Sequence, residues 1–567
     1  MGDRALLVLT GGADPAALAA HLRANPVPGQ EEVVPAAETV LVHVAEGRLD
    51  AAARALAHVD AGADQAAGSA RTVRLDVVYD GPDLADVAAG LGTSVDAVVT
   101  WHSGTTWRSA FVGFAPGFAY LLPDVPLGEV SRRPEPRTAV PPGSVALAGP
   151  YGAVYPRSSP GGWQLVGTTS GAVWDVTAPR PALLGPGTKV VFRVARAVAT
   201  TAGGSRPPVE GGHRGARRAE RPEGVRAGAS SRDAGTAALP GRSALEVLAP
   251  GPSTLVQDLG RPGRQSDGVP RGGAADRAAA VVANRLVGNP RGAAVLEAVL
   301  GGLVLRAHGD LVVAVTGAPA PLVVRRPDDD AGTAVGTARP LRLPDGWTLE
   351  LGAPARGLRS YVAVRGGVDT AHELGSRSTD VLSGLGPRPL ATGDVLPVGR
   401  DPGDAVPHAP DLPYLPDVLV SGDPGGATGL APLRTVEVLP GPRHDWLTAA
   451  ARRALHEVEW AVSDRSNRVG VRLDGPPLSR AVARELPSEG AVPGAIQVPP
   501  SGLPIALLAD HPVTGGYPVV AVVRAAHVDR LAQLRPGDRL RLVPVPDGAP
   551  GVRQPPPSGG VGREEVP

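Results

Sequence analysis

FVGFAPGFAYL, residues 111–121, holds three of the four phenylalanines in the 567-residue chain, together with a Pro-Gly pair. In a protein that is only 3% aromatic, such a concentration marks one of two things. It is a packed hairpin or barrel corner, or the rigid wall of a ligand site whose glycines expose backbone N–H groups. The flanks are HSGTTW (102–107), RTAVPPGSVALAG (137–149) and SPGGWQLVG (159–167). Short apolar runs punctuated by Gly and Pro predict strands joined by tight turns, hence a β unit over 91–198.

Upstream the pattern changes. RALLVLTG, ETVLVHVA and RTVRLDVVYD read as strands. DPAALAAHLRAN, RLDAAARALAHV and DLADVAAGLG read as helices, the first with Asp14 as N-cap. Residues 1–90 are therefore expected to form a small α+β domain. Downstream, 199–243 carry almost no large apolar side chain and read as a flexible linker. Two further β units follow over 244–400 and 401–545, then a tail, 546–567, that reads as disordered. Three phrases of one type close the β units: LLGPGTKVVF (183–192), LATGDVLPV (390–398) and LRPGDRLRLV (534–543). Each is a glycine turn feeding a final strand.

Composition narrows the function. Acidic and basic residues balance at 56 each, so the charge footprint of a nucleic-acid binder is absent. No cysteine is present, which excludes disulfides, thiolate metal sites and a thiol nucleophile. No apolar run reaches membrane-spanning length and the N-terminus lacks a signal-peptide pattern, so a cytoplasmic protein without membrane contact is expected. Lys189 is the only lysine, and no phosphate-binding G-x-x-x-x-G-K-[ST] loop occurs. HExxH, GxSxG and zinc-ligand spacings are absent too, so no metal ligands are assigned.

Three constellations could carry chemistry. The first combines His102, as acid/base or carboxylate binder, with Arg137 and the turn glycines Gly113, Gly117, Gly161 and Gly162, whose N–H groups form anion nests. A packed histidine and plain barrel turns explain the same residues. The second is Gln257-Asp258 before a Gly-Arg-Pro-Gly turn, a helix with Asp276 near its start and Asn284 inside it, and Glu297 in an apolar strand. The third gathers Asp464, Asn467, Arg468, Glu489, Gln497, Asp510, His511, Thr514, Gly515 and Gly516 in turn-broken strands. That mixture suits a preorganised pocket for a carboxylate- or phosphate-bearing substrate; solvated turns are its alternative.

GFAPGFAYL and its flanking motifs closely resemble the allophanate-hydrolase subunit 1 family, which includes the B-type subunit of 5-oxoprolinase and the kinase inhibitor KipI. PGPSTLVQDLGRPG, GSRSTDVLSGLGPRPLATGD, PGPRHDW, SNRVGVRLDGP, SEGAVPGAIQVPPSG and HPVTGGYP resemble the allophanate-hydrolase subunit 2 family, which includes the C-type subunit of 5-oxoprolinase and KipA. The chain thus resembles a fusion of the two. The resemblance implies a mainly β protein with an α+β N-terminal domain and cyclophilin-like β-barrels, one in the first half and two related β units in the second. It implies ATP, with Mg²⁺, as cofactor, 5-oxoproline as substrate and, for a partner, the separate A-type subunit of 5-oxoprolinase; the oligomeric state is left open. On this reading Arg468 and glycine N–H groups hold anions, while Asp464, Glu489 and His511 handle protons. Two alternatives stay open. One is a biotin-dependent carboxyltransferase related to urea carboxylase, although Met1 is the only methionine, so the chain lacks a Met-Lys biotin attachment site. The other is a histidine-kinase regulator.

Overall fold

The computed structural model describes residues 1–59, 71–196, 242–329, 331–403 and 433–546. The expected linker, the tail and the Pro/Asp-rich stretch after 400 lie almost entirely outside these residues.

At the N-terminus three antiparallel strands are ordered Ala5–Leu9, Thr39–Val44, Gln30–Pro35, with helices Pro15–Ala24 and Leu49–Leu56. Asp14 caps the first helix as expected, its Oδ1 accepting the Ala16 N–H at 3.0 Å. The sheet is apolar on both faces, because Thr39–Val44 is an almost unbroken buried run. One face, with Val33, Val40 and Val42, packs on the two helices. The other, with Ala5, Val34 and Leu41, packs on Ala491, Leu507, Val519 and Val522 of the last barrel. The first and last units of the chain therefore share a core.

The first barrel begins earlier than residue 91. Strand Thr72–Val77 pairs in parallel with the closing strand Lys189–Val194, which in turn pairs antiparallel with Thr106–Val112. Both Thr72–Val77 and helix Leu84–Gly90 belong to the barrel and not to the α+β domain, a correction that only long-range pairing could supply. The seven-stranded sheet curls until the Val78–Thr168 bridge joins its two edges. The C-terminal barrel repeats the plan. Its first strand, Leu433–Pro440, lies parallel to its last, Arg539–Pro544, and the last pairs antiparallel with Trp460–Val462. In each barrel a helix leads into the second strand through a buried tryptophan. The Trp107 indole N–H donates to the His102 carbonyl (3.0 Å) and that of Trp460 to the Leu455 carbonyl (3.1 Å).

The unit between them differs. It is built from a six-stranded and a five-stranded sheet around one large aliphatic core, with helix Arg277–Leu286 against the five-stranded sheet. The detailed kinship thus links the two barrels across the halves of the chain, not the two units of the second half. The three closing phrases do end their units: in the middle one, Val395–Pro397 pairs antiparallel with the unit's first strand, Ala244–Pro250. Among the described residues no helix is long and apolar enough to cross a membrane.

The paired tryptophans give a direct test. Trp107→Ala and Trp460→Ala each remove a fully buried indole and should cost about 3–5 kcal/mol, read as a lowered urea midpoint. A near-neutral result in either would show that barrel closure does not depend on it.

Candidate functional site

The aromatic loop of residues 111–121 is where three units meet. The Gly117 N–H donates to the Asp267 carbonyl at 2.9 Å. Gly268 approaches the Ala115 carbonyl so closely that a Cβ on it would stand 2.5 Å away. A Cβ on Gly113 would run into Thr514 Oγ1 of the C-terminal barrel. Gly117 has φ 74° and faces Trp174, so it combines a left-handed backbone with a close approach that only glycine tolerates. Phe111, Phe118 and Tyr120 behave as wall and core: Phe111 stacks on Tyr120 at 4.2 Å between ring centres, and Phe118 sits among Tyr155 and Trp163.

Beside this junction lies a cluster of buried polar groups with unmet bonding capacity. Arg261 is 1% exposed. Its Nε donates to the Glu373 carbonyl (3.0 Å) and its Nη2 to the Ser378 carbonyl (2.6 Å), while Nη1 is buried without a partner. Asp380 accepts the Ser383 N–H on Oδ1 at 2.8 Å, and its Oδ2 is buried without a partner. Gln257 donates Nε2–H to the Thr379 carbonyl (2.8 Å), and its Oε1 is likewise unmet. His511 sits 2.8 Å from the Pro512 carbonyl through Nδ1. A carbonyl can only accept, so Nδ1 carries the proton and Nε2 is left as a base. Burial lowers the His511 pKa and outweighs the opposing charge of Asp380, so the imidazole is neutral at physiological pH. The Asp380 charge also acts on Arg261, whose pKa burial lowers; one carboxylate thus serves both groups.

Each unpaired buried polar atom costs about 1–3 kcal/mol, and such groups cluster where a ligand completes them. The backbone around them is held firmly. Asp258 accepts from Ser376 Oγ (2.6 Å), Ser378 Oγ (2.6 Å) and the N–H groups of Gly260 (2.7 Å) and Arg377 (2.7 Å). That saturated carboxylate ties the Gly-Arg-Pro-Gly turn to the loop carrying Asp380.

A second brace joins the middle unit to the C-terminal barrel. Arg468 grips Asp510 through Nε (2.8 Å) and Nη2 (3.0 Å), donates to the Gly273 carbonyl (2.6 Å), and pairs with Glu297 through Nη1. Glu297 also accepts from the Ala275 N–H and the Tyr361 hydroxyl, both at 2.9 Å. Asp529 caps helix Arg277–Leu286 from across the seam, accepting the N–H groups of Arg277 (3.1 Å) and Ala278 (3.2 Å). Gln533 donates to Asp276 Oδ2 at 2.7 Å.

The expected residues therefore divide. His511 and Gln257 belong to the unpaired cluster, and Asp258 braces it. Arg468 lies at the seam, but its guanidinium is occupied by protein carboxylates and is not open to a substrate anion. Glu489, paired with Arg443, is buried with Oε2 unmet, and burial raises its pKa; it lies in register with Gly515. Thr514 has an unmet Oγ1 against Gly113, and Gln497 Nε2 donates weakly to the Tyr517 carbonyl at 3.4 Å. Gly516 faces the Leu486 carbonyl.

Other expected residues lie elsewhere. His102 is sealed among Trp101, Trp107 and Phe192 with no solvent exposure, its pKa pulled to about 3 by burial; it is a core residue, not an acid/base. Arg137 forms a bidentate pair with buried Asp83 (2.9 and 2.8 Å) and is not free to bind a ligand. Gly161 makes room for the Tyr155 hydroxyl, and the Gly162 carbonyl accepts from the Arg133 N–H. Asn284 is a buried strut, donating to the Ala293 carbonyl and accepting from Asn289. Asp464 and Asn467 are exposed on a turn, outside the cluster. Arg261 and Asp380 escape sequence reasoning because a lone charge in a glycine turn looks solvated; their signal is the density of small polar residues around each, GRPG and STDVLSG.

Carboxyltransferase-domain families match both halves: subdomains C and D over residues 1–184, and A and B over 267–544. The second half is 37% identical to the C-type subunit of 5-oxoprolinase from Escherichia coli (strain K12) over 302 residues, 53% of this chain and 90% of that protein. A 127-residue stretch, 22% of this chain, is 47% identical to the B-type subunit of 5-oxoprolinase from Escherichia coli O157:H7 and covers 57% of it. Urea amidolyase of Lachancea kluyveri is 32% identical over 53% of this chain, but only 17% of that enzyme is spanned. The crystal structure of TTHA0988 superposes with a TM-score of 0.76 at 33% identity, covering 95% of this chain and 99% of the other. The chain belongs to the carboxyltransferase-domain family that contains the B-type and C-type subunits of 5-oxoprolinase, with both types fused in one polypeptide.

Two measurements test the seam. Arg468→Ala strands buried Asp510 and takes from Glu297 one of its two arginine partners, leaving Arg359 at 3.3 Å. It should destabilise the protein by about 3–5 kcal/mol, seen as a lower urea midpoint, and an unchanged midpoint would remove the brace. Asp276 is buried, and desolvation, reinforced by the Asp529 charge, raises its pKa to about 7. An acid that holds its proton more tightly when folded contributes stability at low pH and loses it as pH rises from the ordinary carboxylate value of about 4 through 7. Melting temperature should therefore fall across that window, and less steeply in Asp276→Asn, where only other raised acids such as Asp510, at about 6, still contribute. An identical pH profile in the variant would contradict the assignment.

Proposed function

We propose that the protein is the fused B and C component of an ATP-dependent 5-oxoprolinase, activating 5-oxo-L-proline for ring opening to L-glutamate with the separate A-type subunit of that enzyme. The observation that carries this reading is that the two halves of one chain resemble two separate components of 5-oxoprolinase. The buried cluster supports it, because Gln257, Arg261, Asp380 and His511 offer complementary unmet groups beside the junction of both halves.

A five-membered lactam is a stable amide, and ATP, when bound, supplies the phosphoryl group that makes the lactam oxygen a leaving group. The chain's residues do the rest of the activation. His511 Nε2 accepts the lactam N–H proton as charge builds on the oxygen, and Asp380 stabilises the resulting imidazolium. Arg261 Nη1 donates to the negative oxygen, in a water-poor setting where such a bond is strongest. Gln257 Oε1 accepts a hydrogen bond and orients the ring. Among the described residues no three His, Cys, Asp or Glu side chains gather to hold a metal. Mg²⁺ in this reading arrives on the nucleotide's phosphates, as that ion commonly does.

Mixed with its A-type partner, the purified chain should convert 5-oxoproline to glutamate with ADP release. Arg261→Gln, Asp380→Asn and His511→Asn should each lower turnover by about 10²–10⁴-fold. Full turnover in all three would move the chemistry elsewhere. The urea amidolyase resemblance favours a second reading, carboxyl transfer to an amide substrate. Urea-dependent discharge of carboxybiotin, with no ADP release from 5-oxoproline, would establish that reading instead.

A further inference from the structure

A cavity of about 560 Å³ opens on the other side of the Gly-Arg-Pro-Gly turn. Its walls come from three units: Arg4, Glu32 and His43 of the N-terminal sheet, Arg271 and Arg277 of the middle unit, and Asp529 of the C-terminal barrel. None of the candidate site residues named from the sequence lines it.

The acids and bases of this cavity are unequally satisfied. Glu32 accepts the N–H groups of Gln265 (2.7 Å) and Gly263 (3.2 Å), and Asp529 caps the helix that Arg277 begins. Asp3, also in the lining, accepts the Ala525 N–H at 3.1 Å. Arg4 is paired with Glu46 at 3.3 Å. Arg271, by contrast, makes no side-chain hydrogen bond or ion pair among the described residues, and its Nε is buried and unmet. The Arg277 guanidinium has one hydrogen-bond partner among the described residues, the Leu259 carbonyl. These two guanidinium groups repel each other: after burial, the Arg271 charge is the main influence lowering the Arg277 pKa, to about 10. His43 adds a buried Nε2 without a partner.

Three of the lining carboxylates, Glu32, Asp529 and Asp3, are engaged by backbone N–H groups, and the fourth, Glu31, lies 3.9 Å from Arg4. The two guanidinium groups left together suit a ligand with at least two negative charges. A phosphoryl group meets this condition and also the donor geometry of guanidinium forks; a single carboxylate does not. The volume lies in the range of small-molecule sites, about 300–1,000 Å³, and far exceeds the roughly 30 Å³ occupied by a water molecule. We propose that Arg271 and Arg277 form a phosphoryl-binding site for a phosphorylated small molecule of nucleotide size, seated between the three units.

The position gives the site a consequence. The Arg271 carbonyl accepts the Arg261 N–H at 2.7 Å, so the two arginines stand back to back across one short backbone pairing. His511 is near enough to His43 that the two rings would repel each other if both were protonated, so the cavity and the cluster of unmet groups adjoin. As a phosphoryl site the inference stands on the cavity alone. As the place of the ATP phosphates, it rests on the proposed function and would set them next to His511.

The test is thermal melting of the full chain with inorganic phosphate, ATP and adenosine, without turnover. ATP should raise the melting temperature saturably by at least about 2 °C, phosphate should do so at higher concentration, and adenosine should not. Arg271→Gln and Arg277→Gln, each first shown to melt cooperatively without ligand, should lose the phosphate and ATP shifts. A control at a separate arginine-lined cavity, Arg400→Gln, should keep them. Phosphate and ATP shifts that survive both cavity variants, or the absence of any saturable shift in the parent chain, would overturn the site. If ATP binds as expected but 5-oxoproline stimulates no ADP release, the site stands and the proposed reaction falls.

Discussion

The structure depends on one apolar contact, the shared core between the N-terminal sheet and the C-terminal barrel. Ala5, Val34 and Leu41 are buried against Ala491, Leu507, Val519 and Val522, and each large aliphatic side chain so buried contributes about 1.5–3 kcal/mol. Gly490 lies so close to Leu41 that a Cβ would stand 2.7 Å from it, which sets the approach of the two surfaces. Because the contact joins units far apart in sequence, it closes the chain on itself. Everything polar at the junction is then held in a fixed relation.

That closure explains the arrangement of the site. Once the sheet is seated, Glu32 reaches the backbone of the Gly-Arg-Pro-Gly turn, and the Ala37 N–H donates to the Ser488 carbonyl at 3.0 Å. The first barrel's aromatic loop can then meet both Asp267 and Thr514. Arg468 supplies the third tie, between the middle unit and the last barrel. Three rigid units meeting along narrow seams leave little room for side-chain adjustment. Arg261 and Asp380 are each held in place by their other polar atoms, to the Ser378 carbonyl and the Ser383 N–H, while Nη1 and Oδ2 stay unmet. Preorganisation is the result.

Much of the fold is legible in the sequence, and for identifiable reasons. Alternation, glycine turns and the Asp14 cap are local signals, and the strands and helices they predict are largely present. The membership of Thr72–Val77 is not local, since its partner strand lies more than a hundred residues away, and the sequence reading assigns it to the wrong unit. The site is less legible. His511 and Gln257 stand out because they sit in dense polar motifs. His102 looks equally promising, but its helix turns it into an aromatic core. Arg468 is read as an anion holder, but protein carboxylates occupy it, because a sequence does not show which carboxylates reach a guanidinium first. Arg261 and Arg271 depend wholly on tertiary packing for their unpaired state, so no spacing rule reveals them.

If the shared core and the aromatic loop build one site from two halves, the halves should associate without their covalent connection. The direct measurement is sedimentation of residues 1–196 and 242–567 produced as separate chains and mixed at equal concentration. The account predicts a one-to-one complex that recovers the ligand-induced stabilisation of the intact chain. Halves that fold but sediment independently would contradict it.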